Sequence, residues 1–157
     1  MPSPAVITEL LHLLEEAFQR RAWHGTNLLG SIRGLEPAQA AARPGRGRHN
    51  IWELIIHTAY WKYAVTRRLT GGPRGSFPYP GSNWFGRDGG TVADLKQDVA
   101  LLKQCHRELM DAVRRVKPGE LGSRAPGSRY PRGFMIRGIA AHDLYHAGQI
   151  QLLKRLT

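Results

Sequence analysis

Residues 91–116, TVADLKQDVALLKQCHRELMDAVRRV, decide the class of fold because they carry one uninterrupted helical pattern. Side chains suited to a core recur there at alternating intervals of three and four residues: Val92, Leu95, Val99, Leu102, His106, Leu109, Val113 and Val116. These intervals place side chains on one face of an α-helix, and Thr91 is a favourable N-cap. The segment therefore predicts a helix with one face in a core.

Three other segments predict helices. The first begins with Ser3 as N-cap and Pro4 at the first helical position, and its apolar spacing from Ile7 to Phe18 continues towards Ile32. The second follows Asn50 and runs from Ile51 to Leu69. The last extends from about Phe134 to Leu156 and ends with basic residues, which favour a helix C-terminus.

Three connections separate these helices, the last of them the turn-rich residues 117–133. Residues 34–49 are rich in Gly, Pro and Arg, and residues 70–90 combine Gly and Pro with the aromatics Phe77, Tyr79, Trp84 and Phe85. A connection as long as the second is usually a functional loop or a crossover, and its aromatics predict that it packs onto the helices. With no alternating strand pattern, the chain predicts an all-α protein: a four-helix bundle in one domain over residues 1–157, with a long crossover between helices 2 and 3.

The composition limits the possible functions. The chain has 157 residues, 41% of them apolar, and Cys105 as its only cysteine, so an internal disulfide and a multi-thiolate metal site are excluded. No segment has the length and apolarity of a membrane span, and the N-terminus lacks the layout of a signal peptide. We therefore expect a cytoplasmic protein without membrane association.

The strong positive charge raises a nucleic-acid alternative. With 23 Lys and Arg against 12 Asp and Glu, the net charge is +11, which would attract nucleic acids or anionic substrates. The basic residues are spread along the chain, and no recognition helix or aromatic stacking platform is evident. We therefore favour a solvated basic surface. Under the alternative, in which the charge holds an anionic cofactor or substrate near the site, the candidates are Arg67, Arg68 and Arg137.

The histidines carry the most specific chemical signal. His142 and His146 lie four residues apart in AAHDLYHAGQIQLLKR, residues 140–155, and share one helix face with Ile139 and Ile150. That stripe points the pair inward, where two imidazoles need a compensating partner such as a metal ion. His57 in the second helix is a candidate third ligand. On spacing alone, His142 and His146 could be a chance pair, and His57 could be an ordinary core histidine.

Neighbouring polar residues are candidates for orienting the imidazoles. By helical position these are Glu53, Asp143 and Gln149, although Glu53 would equally close a capping box with Asn50. His106 is a candidate fourth ligand or orienting residue, although we favour a hydrogen-bonded core residue. His24 has no assigned role.

Two segments resemble the DinB-like superfamily of metalloenzymes, and the likeness spans nearly the whole chain. They are HNIWELIIHTAYWKYAVTRRLTG, residues 49–71, and AAHDLYHAGQIQLLKR, residues 140–155. The resemblance implies an up-down-down-up bundle, a homodimer, and a zinc or nickel ion bound by His57, His142 and His146. Members with assigned chemistry include thiol-dependent S-transferases and a mycothiol-dependent maleylpyruvate isomerase, so the resemblance also implies a low-molecular-weight thiol cofactor.

Three imidazoles leave at least one coordination position open, which is typical of catalytic metal sites. We therefore expect a metal-dependent transferase or hydrolase that acts on a small, anionic substrate. The alternative is a non-catalytic bundle that binds a metal or ligand, or in which the ion only joins helices 2 and 4.

Overall fold

The computed structural model describes residues 4–157, and these residues form helices and connecting loops without a β-strand. Four long helices dominate: α1 (Pro4–Phe18), α4 (Ile51–Thr70), α5 (Val92–Arg114) and α6 (Arg132–Leu156). Two short helices, α2 (Leu28–Ser31) and α3 (Pro37–Ala41), and a 3₁₀ turn (Pro118–Glu120) complete the fold. The predicted all-α class is confirmed, and Ser3, the predicted N-cap of α1, lies outside the described residues.

Helix α4 begins and ends where its sequence signals predict. The Asn50 side chain accepts a hydrogen bond from the Glu53 amide at 2.8 Å and so caps the first turn. At the other end Gly71 adopts φ +72°, and its amide donates to the Arg67 carbonyl. This left-handed glycine is a common helix C-cap, because a Cβ would be strained there.

The predicted continuation of the first helix towards Ile32 is wrong, because α1 ends at Phe18. Gly25 has φ +94°, and Asn27 caps α2 through its side-chain oxygen while donating to the Arg20 carbonyl at 3.0 Å. These residues turn the chain. Leu28 and Ile32 are nevertheless buried, so their spacing correctly indicated a core position but not one continuous helix.

The core consists of two apolar clusters. Along the helices, a layer of buried polar residues lies between them. One cluster includes Ile55, Leu102 and Ile150, and the other includes Leu14, Leu109 and Ile136. Between these positions on α4, α5 and α6 lie Lys62, His106 and Asp143, all of them buried.

Each residue of this polar layer has a polar partner. Lys62 Nζ contacts Asp143 Oδ2 at 2.5 Å with both side chains fully buried, and His106 Nε2 lies 3.1 Å from Glu15 Oε1. Burial raises the pKa of Asp143 to about 6, against the opposing effect of Lys62. A buried ion pair adds little net stability, but it penalises any helix register that would separate its charges.

The long loop between α4 and α5 is fastened to both helices through Asp98. The Asp98 carboxylate, which is buried, accepts from Trp52 Nε1 at 2.7 Å, from Arg87 Nε at 3.1 Å and from the Tyr79 hydroxyl. Phe77 and Phe85 from the same loop join the core. The predicted packing of the loop aromatics onto the helices is confirmed.

None of the helices within residues 4–157 has the length and apolar character needed to cross a bilayer.

Replacing Asn50 by alanine should cost about 2–4 kcal/mol of unfolding free energy. The change removes the α4 cap and also two hydrogen bonds from Asn50 Nδ2, to the Ala41 and Arg87 carbonyls. Thr91→Ala, which removes the exposed cap of α5, is the control and should cost about 1 kcal/mol. Urea denaturation measures both variants, and an equal or smaller loss for Asn50→Ala would contradict this role.

Candidate metal centre

The structure brings together the three histidines that the sequence singled out. His57 lies in the first half of α4, and His142 and His146 lie one turn apart on the facing side of α6. The Nε2 atoms of His57 and His142 are 3.2 Å apart, and those of His142 and His146 are 3.1 Å apart. One ring nitrogen from each of the three histidines lies within 4.8 Å of the others.

The outer nitrogens of two rings are fixed by acceptors. His57 Nδ1 donates to the Asn83 carbonyl at 2.7 Å, and His146 Nδ1 lies 2.7 Å from Gln149 Oε1. A carbonyl oxygen only accepts, so Nδ1 carries the proton in a neutral ring and the lone pair is on Nε2. Both of these lone pairs therefore point into the space between the rings.

Burial keeps these rings neutral. It is the first cause that lowers the pKa of His57 to about 4 and that of His142 to about 3, and it also lowers the pKa of His146. Repulsion from His146 also lowers the pKa of His57 and of His142, and repulsion from His57 lowers the pKa of His142 further. Near pH 7 the cluster therefore offers neutral imidazoles, which is the form that binds metals.

The arrangement fits a divalent metal ion. Metal–nitrogen bonds of about 2.0–2.1 Å in tetrahedral geometry place ligand nitrogens about 3.3 Å apart, close to the two short separations here. Without a cation the triad is poorly satisfied: His142 Nδ1 is buried with no hydrogen-bond partner. If the His142 proton were on Nδ1, the lone pairs of all three Nε2 atoms would face one another. If it were on Nε2, His142 would donate a hydrogen bond to only one of the two neighbouring Nε2 atoms.

Sequence reasoning missed two residues of the long loop that complete the site. The Trp84 ring stacks on His57 at 3.9 Å between ring centroids and on His49 at 3.6 Å, so it lies between the two imidazoles. Asn83 holds His57 through its carbonyl and accepts from Trp61 Nε1 at 2.8 Å through its side chain. Its φ of +68° is left-handed, which asparagine tolerates better than most residues.

Of the three predicted orienting residues, Gln149 contacts a triad ring directly. The Glu53 carboxylate instead binds Arg43 at 2.5 Å, His49 at 2.9 Å and the Arg87 amide at 3.2 Å. These partners lower the pKa of Glu53 to about 2 against the effect of burial. Glu53 thus fastens the segments on both sides of α4 and does not close a capping box with Asn50.

The remaining predicted residues lie apart from the triad rings. Asp143 pairs with Lys62, one residue along the chain from His142. His106 stacks on Phe18 and bonds to Glu15, as expected of a hydrogen-bonded core residue. His24 is exposed in the turn after α1.

An apolar groove of about 510 Å³ borders the triad. His146 and Trp84 form part of its wall, and the groove continues along α6 past Tyr145 and Leu152 to Leu156. Pockets of this size commonly hold small organic molecules. An apolar ligand in this groove would therefore contact the His146 imidazole of the triad.

The metal-free protein should lose stability as the pH falls from 6.5 towards 4. The pKa of His57 is lowered in the folded state, so its contribution is fully present above the unfolded value near 6.5 and is lost as the pH approaches the folded value. His57→Gln should therefore reduce the slope of unfolding free energy against pH by about 1.4 kcal/mol per pH unit. Urea titrations with chelator at several pH values measure the slope, with the exposed Gln151→Leu as control. An unchanged slope in His57→Gln would show that His57 is not a source of this pH dependence.

Comparison with known proteins places the chain in a family. No curated protein and no solved structure matches it. The DinB superfamily matches residues 19–150, a range that includes the three histidines, the long loop and most of α6. The chain therefore belongs to the DinB superfamily, as the motifs of α4 and α6 predicted.

Proposed function

We propose that His57, His142 and His146 bind one divalent metal ion, zinc or nickel, at a site where a metal-dependent enzyme acts on a small molecule. The observation that carries this proposal is the convergence of the three Nε2 atoms, with two rings oriented by Asn83 and Gln149. Such outer partners fix ring orientation at known metal sites.

The architecture that goes with this site is a four-helix bundle with an up-down-down-up path. Trp52 and Asp98, each near the start of its helix, are in contact, which supports parallel α4 and α5. His57 lies opposite His146 while Lys62 lies opposite Asp143, which supports antiparallel α4 and α6. The long loop at residues 71–91 is needed because parallel neighbours cannot be joined by a tight turn.

The chemistry is that of a transferase or hydrolase with an external nucleophile. When bound, the ion would polarise an incoming group and lower the pKa of a water molecule or a thiol. Cys105, the single cysteine, is buried, and burial raises the pKa of its thiol to about 12. A thiol in the reaction would therefore come from a cofactor, as in a thiol-dependent S-transferase.

The groove beside His146 supports a small-molecule substrate. Three protein ligands leave a coordination position open to substrate or water, whereas structural zinc sites usually have four protein ligands. No carboxylate or thiol within residues 4–157 joins the three imidazoles. Trp84 and His146 would hold the reacting end of the molecule, and the apolar wall would exclude water from its remainder.

We also propose a homodimer. The outer face of α6 exposes Tyr145 by 65%, Leu152 by 58% and Leu156 by 63%. Exposed apolar side chains in one helix stripe are typical of an interface. A second copy of the chain covering this stripe would also narrow the groove beside His146.

A non-catalytic role as a metal-binding bundle is the second candidate, and one observation favours it. The triad joins α4 to α6, so an ion there would link the two helices. The Lys62–Asp143 pair already joins the same helices. Chelation should therefore lower the melting temperature by only a few degrees under the enzyme proposal, and loss of the fold on chelation would favour the structural role.

The purified protein should contain about one divalent ion per chain, and His57→Ala should abolish this content. The cause is the loss of one of only three protein ligands. His106→Gln, a buried histidine outside the triad, is the matched control and should keep its metal. Elemental analysis of folded protein, checked by circular dichroism, gives the content, and a fully loaded His57→Ala would rule out the triad.

Gln149→Leu should weaken zinc affinity about 10–100-fold without unfolding the protein, because His146 loses the acceptor that orients it. Competition with a chelating indicator measures the affinity. Gln151→Leu, two residues further on the exposed side of α6, should bind zinc like the wild type. Equal affinities for both variants would show that Gln149 does not position His146.

A further inference from the structure

A second cavity, of about 480 Å³, lies between the second half of α4 and the loop that follows it. Three arginines line it, namely Arg67, Arg68 and Arg74. Aromatic residues form the rest of the wall, including Tyr60, Tyr63, Phe77 and Tyr79. The cavity therefore combines three guanidinium groups with ring faces and tyrosine hydroxyls.

These arginines have no acidic partner among residues 4–157, since every ion pair found there involves other groups. Arg67 and Arg68 lie in the last turn of α4, where the helix dipole favours cations. Arg74 lies beyond the helix, so the dipole does not account for it. Asp98, which accepts a hydrogen bond from the Tyr79 hydroxyl, is already paired with Arg87.

The walls of the cavity are held in place. The Ser76 amide and hydroxyl each lie 3.2 Å from the Tyr63 hydroxyl, which fastens the loop carrying Arg74 to α4. Phe77 is buried and packs edge-on against Tyr60 at 5.3 Å between centroids. Because the loop is tied to α4 just after Arg74, the part of the cavity wall that the loop forms is held against the helix.

A series of side-chain contacts runs from this arginine pocket to the histidine triad. Arg68 lies over the Trp61 ring at 5.9 Å, Trp61 donates to Asn83, and the Asn83 carbonyl accepts from His57. Eleven residues separate His57 from Arg68, about 16 Å along the helix axis, and helical side chains lean back towards the N-terminus. Because the long Arg68 side chain covers part of this distance, a molecule about 10–16 Å long would span the remainder.

We propose that the arginine pocket, formed by Arg67, Arg68 and Arg74, binds a phosphate or carboxylate group at one end of a small molecule whose other end reaches the histidine triad. Guanidinium groups bind such oxyanions through paired, charge-assisted hydrogen bonds. The binding of the anion stands on the pocket alone, whereas the reach to the triad rests on the proposed function.

Calorimetric titration with inorganic phosphate, and separately with succinate, tests the pocket. The triple variant R67Q/R68Q/R74Q should bind the preferred anion at least about tenfold more weakly than the wild type. The control variant R107Q/R129Q/R155Q removes three exposed arginines elsewhere and should bind within about twofold of the wild type. An equal loss in both variants, or tighter binding to duplex DNA lost in both, would assign the effect to general surface charge and overturn the proposal.

The His57→Ala variant separates this inference from the proposed function. It should bind the anion like the wild type, even if the triad holds no metal in any form of the protein. If wild type and His57→Ala both lack metal while only the arginine variant loses the anion, the proposed function fails and the pocket stands. Loss of anion binding in folded His57→Ala would contradict a separate pocket.

The reach to the triad can be tested with cobalt as a spectroscopic probe. Decanedioate, with a carboxylate at each end, should change the visible spectrum of the cobalt-loaded protein at a concentration at least about tenfold lower than decanoate does, because the second carboxylate is held nearby. The R67Q/R68Q/R74Q variant should respond equally to both probes. Equal responses in the wild type would show that no ligand bridges the two places.

Discussion

The candidate metal site depends on three neutral imidazoles whose Nε2 atoms face one another in a largely buried space. Such an arrangement is unfavourable without a cation, because lone pairs are brought together and His142 Nδ1 has no partner. The protein nevertheless fixes the His57 and His146 rings through Asn83 and Gln149. Rings held in this way lose little further freedom when an ion binds, which favours metal affinity.

The rest of the fold maintains that convergence. The buried Lys62–Asp143 pair penalises a shift of α4 against α6, which would separate its charges as well as the histidines. The loop between α4 and α5 supplies Asn83 and Trp84, and Asp98 fastens that loop through Arg87, Tyr79 and Trp52. Helix register and loop anchoring are thus two separate supports for one site.

Helical spacing and capping residues were enough to predict the four long helices, since α4, α5 and α6 begin within about two residues of their signals. The end of α1 at Phe18 was not predicted because the apolar spacing continues beyond it, where Gly25 and Asn27 turn the chain. The pair His142 and His146 follows from helical spacing, whereas His57 needed the family resemblance. Asn83 and Trp84 were beyond prediction, because their positions depend on how an irregular loop folds back onto α4.

The central proposal is that His57, His142 and His146 coordinate one metal ion. X-ray absorption spectroscopy at the metal edge of the purified protein is the most direct measurement. We expect three imidazole nitrogens at about 2.0–2.1 Å, with one or more oxygen or sulfur ligands from outside the chain. A coordination shell without imidazole, or one completed by a fourth protein ligand, would contradict it.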